Sequence, residues 1–152
     1  MIYISTSSKN HSEKYIVLMP HEINNQFLGD LAILSQDKKI PYNFTLLGVS
    51  DFGDVIIPCE KLDDYLIQLE TLINNLDDVI KYHPLPNTIW GFDERMFDNF
   101  VSNVDPDENN EVEVSSEGII FSKEGMLNFL FRLREKAIEA KRERESLRFL
   151  GD

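Results

Sequence analysis

The stretch DVIIPCEKLDDYLIQLETLINNLDDVIKY, residues 54–82, decides the fold class. Asp54 to Ile57 places three β-branched residues in a row and stops at Pro58, the pattern of a short strand. From Glu60 to Tyr82 the residues Leu62, Tyr65, Leu66, Leu69, Leu72, Ile73, Leu76, Val79 and Ile80 recur at helical spacing and form one apolar stripe. Asp63 and Asp64 fall in the first turn, where unpaired N–H groups favour anions, and Pro84 and Pro86 end the helix. A strand that feeds a one-faced helix needs a layer for that face to cover, and a sheet is the simplest one.

Working outward, Ile2 to Ser5 and Tyr15 to Met19 read as two strands joined by a polar loop. Ile23, Phe27, Leu31 and Leu34 predict a helix over residues 22–38, weakened at Gly29. Asn43 to Val49 reads as a strand, paired with Asp54 to Ile57 across the turn-forming Ser50-Asp51-Phe52-Gly53. Beyond the long helix, residues 94–101 suggest a short helix, and residues 111–114 and 118–121 suggest a hairpin. Ser122 is placed to cap a last helix, with Met126, Leu130, Leu133 and Ala137 as its buried row and Phe129 and Ile138 beside it. Past Ala137 the stripe thins into alternating charges, so residues 139–152 are expected to form a protruding, charged helix end. No internal repeat or linker splits the chain. The expectation is one α+β domain over residues 1–152, a largely antiparallel sheet with helices packed on one face.

A chain of 152 residues, 42% hydrophobic and 28% charged, can bury a core of its own and is neither collagen-like nor low-complexity. Its charge is the unusual quantity: 27 acids against 15 bases leave a net −12. Direct nucleic-acid binding is disfavoured, because neutralising phosphates needs a basic surface. Cys59 stands alone, no zinc-type Cys/His spacing occurs, and the first residues resemble no signal peptide. With no apolar run of about 20 residues, the expectation is a soluble cytoplasmic protein that does not enter membranes.

The charge is concentrated. Residues 93–117 carry Asp93, Glu94, Asp98, Asp105, Asp107, Glu108, Glu111, Glu113 and Glu117 against Arg95 alone, or −8 in 25 residues. Such a run is either a solvated surface or a docking face, since crowded like charges repel one another until a basic partner arrives and are then what steers it in. Trp90 directly precedes the run and is either a core residue or the aromatic anchor of that face. Asp105-x-Asp107-x-Asn109 begins like a calcium loop, but Asn110 stands where Gly is needed and Ser116 where a bidentate Glu is needed, so no metal is expected. Asp77 and Asp78 sit near the end of the long helix, where carbonyl dipoles disfavour carboxylates, and read as neutral surface or as a partner contact.

Catalytic signals are thin. His11, His21 and His83 are scattered, and GxSxG, GxGxxG and P-loop patterns are missing. Cys59 with His83 is the one nucleophile and base pairing worth testing, and a small buried hydrophobe is the more ordinary role of such a cysteine. No catalytic residue and no cofactor is expected. Residues 132–148 carry Arg132, Arg134, Lys136, Lys141, Arg142, Arg144 and Arg148 against four acids, which suits a helix C-terminus, a fold-back onto acidic surface or a pairing with another subunit.

A small, strongly acidic α+β domain with the run 93–117, the two strand-to-helix units 54–82 and 118–137, and no catalytic motif resembles the immunity proteins that bacteria encode beside secreted or contact-delivered toxins. The resemblance implies a non-catalytic protein whose acidic surface covers the basic face of a cognate toxin such as a nuclease. The alternative reading is a phage or host regulatory adaptor, including a nucleic-acid mimic whose carboxylates imitate phosphate spacing. A small enzyme with a site assembled from distant carboxylates ranks last.

Overall fold

The computed structural model describes residues 1–7, 17–50, 53–90 and 119–151. Four strands form an antiparallel sheet in the order β2 (Val17–Met19), β1 (Ile2–Thr6), β6 (Leu147–Gly151), β3 (Gly53–Ile57). Between β2 and β3 lie α1 (His21–Ile23), a π-helical stretch (Asn24–Leu28) and α2 (Gly29–Gln36). After β3 come a 3-10 turn (Cys59–Lys61), α3 (Leu62–Asn74), α4 (Leu76–Tyr82) and a small antiparallel ribbon of β4 (Thr88–Ile89) and β5 (Ile119–Ile120). The last helix, α5 (Lys123–Arg142), leads into β6. The architecture is α+β with helices packed on the sheet. The expected helix over residues 94–101 and strand over residues 111–114 lie outside the described residues, as does the start of the second strand.

One face of the sheet carries Ile2, Ile4, Val17, Met19, Leu147, Phe149 and Ile57, all buried, because registered strands place alternate residues on the same side. The apolar stripes of α3 and α5 cover it, and the Tyr65 ring meets Phe149 edge-on at 6.4 Å. Leu62, Tyr65, Leu66, Leu69, Leu72, Leu76 and Val79 are buried as their spacing predicts. So are Met126, Phe129, Leu130, Leu133 and Ala137, whereas Ile138 faces solvent. Ser122 caps α5 by accepting the Gly125 N–H at 3.0 Å. Asp63 in the first turn of α3 pairs with Lys141 in the last turn of α5 at 2.5 Å, so each charge lies at the helix end that favours it and the helices run antiparallel. Lys136 is buried inside α5 and pairs with Glu139 at 2.9 Å.

Three expectations are corrected. The first concerns residues 139–152, which do not protrude as a helix end. Arg144 takes a left-handed φ of 57°, and the Arg144 and Glu145 N–H groups bond back to the Lys141 and Ala140 carbonyls at 3.1 and 2.8 Å. This pattern terminates a helix and satisfies its last carbonyls. The chain then alternates Leu147 in, Arg148 out, Phe149 in, and enters the sheet between β1 and β3.

The second correction is at Asn43–Val49, which forms turns instead of a strand and pairs with nothing in the sheet. Side chains meet its backbone groups: Ser35 Oγ accepts the Phe44 N–H at 2.9 Å, Gln68 Oε1 the Leu46 N–H at 2.8 Å, and Asn24 Nδ2 donates to the Val49 carbonyl at 3.0 Å. Satisfied in this way, the segment has no need of a ladder. It also presses close to the helix, since a Cβ on Gly48 would lie 3.1 Å from the Ala32 Cβ and 3.4 Å from the Gly29 Cα. The third correction is a break in the long helix at Asn75, whose φ of −121° and ψ of 19° are not helical. Its side-chain amide donates to the Thr71 carbonyl at 2.8 Å, a local bond that competes with the helix ladder.

Because β6 is interior, Phe149→Ala is expected to destabilise the protein by about 3–5 kcal/mol in urea unfolding, the range for truncating a buried aromatic. Arg148→Ala on the opposite face should cost no more than about 1 kcal/mol, the scale of a partly exposed ion pair. An unchanged midpoint for Phe149→Ala would contradict the interior placement of β6.

Candidate functional site

The acidic run departs from β4 and returns at β5. In that ribbon Thr88 stands opposite Ile120 and Ile89 opposite Ile119, and the Phe121 N–H donates to the Asn87 carbonyl at 3.2 Å. Ile89 is fully buried and Phe121 nearly so, which ties the ribbon to the core. Strand alternation then puts Thr88, Trp90 and Ile120 on the opposite side. There Trp90 is 61% exposed and Ile120 86% exposed. The Trp90 backbone N–H donates to Glu22 Oε1 at 2.9 Å, which holds the first residue of the site against the start of α1.

Of the residues expected to bind a partner, Trp90 is therefore at the surface, and its reading as a core residue falls away. Asp93, Glu94, Asp98, Asp105, Asp107, Glu108, Glu111, Glu113 and Glu117 lie outside the described residues, as does the calcium-like start at Asp105. The ribbon nevertheless joins the two ends of the stretch that contains them. Sequence reasoning missed Ile120. Its neighbours Ile119 and Phe121 are equally apolar, and only the pairing with β4 shows that Ile120 faces outward.

Asp77 and Asp78 also change meaning. With the helix broken at Asn75 they stand in the first turn of α4, where carboxylates are favoured, so no dipole rule is violated. Asp77 pairs closely with Lys123 at the start of α5. Asp78 accepts a short hydrogen bond from the Tyr42 hydroxyl and lies 3.9 Å from Lys81. Both aspartates are thus engaged at the surface by side chains of this same chain.

Cys59 sits half-buried in the 3-10 turn. His83 is engaged elsewhere: Nε2 lies 3.0 Å from the Asp30 carboxylate, Nδ1 lies 2.8 Å from the Pro84 carbonyl oxygen, and the ring meets Phe27 edge-on at 5.8 Å. Neither ring nitrogen is left to serve Cys59 as a base. Among the described residues no three His, Cys, Asp or Glu side chains are grouped to hold a metal ion, and no helix is long and apolar enough to cross a membrane. The chain matches no protein-family model, no curated protein and no solved structure.

The Tyr42 bond to Asp78 has a measurable consequence. Ionising Tyr42 would remove the donated proton and set two anions together, so its pKa rises from the ordinary 10.0 to about 12, chiefly through the hydrogen bond to Asp78. A raised pKa in the folded state means that the stabilisation is complete below pH 10.0 and is lost as pH rises through about 12. Ultraviolet titration of wild type should show a tyrosine ionising near pH 12 that Tyr42→Phe removes and Asp78→Asn returns toward 10.0. If the tyrosine lost in Tyr42→Phe is one that ionises near 10.0, or if Asp78→Asn leaves the wild-type curve unchanged, the bond does not form.

Proposed function

We infer that this is a non-catalytic acidic binding protein of the cytoplasm that neutralises a basic protein partner, and that the partner is a toxin such as a nuclease, so that the protein acts as an immunity protein. The observation that carries the reading is the concentration of −8 in residues 93–117, on a stretch whose two ends are joined by a ribbon exposing Trp90 and Ile120. Aromatic and aliphatic groups beside a charged rim match the anatomy of an interface, in which a desolvated anchor supplies affinity and the rim supplies steering and specificity.

The mechanism is occlusion. A nuclease must expose a basic surface to hold phosphates. An acidic surface competes for that face and gains from the release of its own self-repulsion when it docks. Electrostatic steering raises association rates by about ten- to a thousand-fold, which suits an inhibitor that must meet its target before the target finds substrate. No bond is made or broken, so neither a cofactor nor a catalytic side chain is needed.

The test begins with capture of a basic protein from extracts of the native cell on the immobilised chain, followed by stopped-flow association with the captured protein. The on-rate should fall steeply as the Debye length shrinks from about 10 Å at 0.1 M salt to about 3 Å at 1 M. Replacing Asp105, Asp107, Glu108 and Glu111 together by Asn or Gln should slow association at low salt and leave the unfolding midpoint unchanged. Trp90→Ala should raise the off-rate while altering stability by no more than about 0.5 kcal/mol, as expected for an exposed side chain. Association indifferent to salt and to the four neutralising substitutions would overturn the reading.

A further inference from the structure

The two edges of the four-stranded sheet are unequal. Among the described residues β2 (Val17–Met19) is wholly buried, whereas in β3 Gly53, Asp54 and Ile56 are exposed. Among the described residues β6 is the one strand that pairs with β3. Alternate N–H and C=O groups of β3 therefore point away from the sheet, in the geometry that accepts another extended backbone. Proteins usually blunt such an edge with a lysine, a proline or a bulge within the strand. Val55-Ile56-Ile57 has none of these, and Ile56 is 53% exposed. The strand's only charge, Asp54, accepts a hydrogen bond from Arg148 Nη2 at 2.7 Å on the neighbouring strand, which leaves the edge itself unguarded.

We propose that β3 is a strand-addition site for an extended basic segment of another protein. Backbone hydrogen bonds specify the conformation of the occupant, as in other peptide-binding sheet edges. Charge specifies its composition: Asp54 is matched by Arg148 and Asp63 by Lys141, and in sequence Asp51 before the strand and Glu60 and Asp64 after it stand against Lys61, so acids flank the strand on both sides. A second copy of the chain would bring the same acids and another −12 to the contact. A strand carrying Lys or Arg is complementary where a second copy is repelled. The site shares no residue with the acidic run 93–117, so either can fail while the other stands.

The probe is the capped heptapeptide Lys-Val-Lys-Val-Lys-Val-Lys, compared with an analogue N-methylated at every backbone amide, which keeps the charge and loses the ladder. By calorimetry the unmodified peptide should bind at least about ten-fold more tightly, the equivalent of one or two net hydrogen bonds. Amide hydrogen exchange should slow within Gly53–Ile57. Ile56→Lys should weaken binding and Ile56→Thr retain it, both on a folded protein by circular dichroism. Equal binding of the two peptides, or protection confined to amides outside β3, would overturn the proposal. So would a concentration-dependent dimer in sedimentation that Ile56→Lys abolishes, which would identify the occupant as a second copy.

Discussion

The placement of β6 between β1 and β3 is the constraint on which the rest of the structure depends. β1 and β2 form one antiparallel pair, β3 stands apart, and among the described residues β6 is the strand that joins them by hydrogen bonds. The strand also supplies Leu147 and Phe149 to the face that α3 and α5 cover, so backbone pairing and core burial arrive in the same residues. Fully burying two such side chains contributes about 1.5–3 kcal/mol each, a large share of a stability that for most domains is about 5–15 kcal/mol. The turn at Arg144 is what permits this. Without a left-handed residue there, α5 would carry Leu147 and Phe149 along its own axis and away from the sheet.

Charge is distributed with the same economy. Of the net −12, −8 falls in residues 93–117 and −4 in all the others. Within the described residues, several acids are matched by bases of the same chain: Asp63 with Lys141, Asp77 with Lys123, Asp54 with Arg148, and Glu139 with Lys136. The exposed pairs among these add little stability each, but they neutralise the surface around the helices. In sequence, two thirds of the net charge falls on the one stretch 93–117, and such a concentration of like charge is what gives a field able to orient a partner.

Much of the fold was legible, and the failures share a cause. The stripes of α3, α4 and α5 were readable because burial on one side imposes a period that survives local irregularity. What escaped was punctuation. Arg144 ends α5 in a conformation usually given to Gly, so a charged sequence without glycine read as a continuing helix. Asn75 broke a stripe whose period ran on undisturbed through it. Asn43–Val49 looked like a strand because its composition suits one, while the groups that satisfy its backbone, Asn24, Ser35 and Gln68, come from remote positions. At the candidate site the acidic run and Trp90 were visible as charge and residue type. Ile120 was not, because which of two adjacent isoleucines faces outward depends on a partner strand.

That ribbon also raises a question of magnitude. Bringing Ile89 and Ile119 together out of the unfolded chain, across their separation in sequence, costs about 3 kcal/mol in chain entropy. The ladder between β4 and β5 is only two residue pairs long, and a net hydrogen bond contributes about 0.5–1.5 kcal/mol, so the ladder alone barely offsets closure. Burial of Ile89 and Phe121 adds about 1.5–3 kcal/mol each, which decides the matter: side chains on the core side hold the stem, and the ladder sets only its register. The two sides of the ribbon thus divide the work. Ile89 and Phe121 fasten it to the body, and this leaves Trp90 and Ile120 free to face solvent without loss of stability.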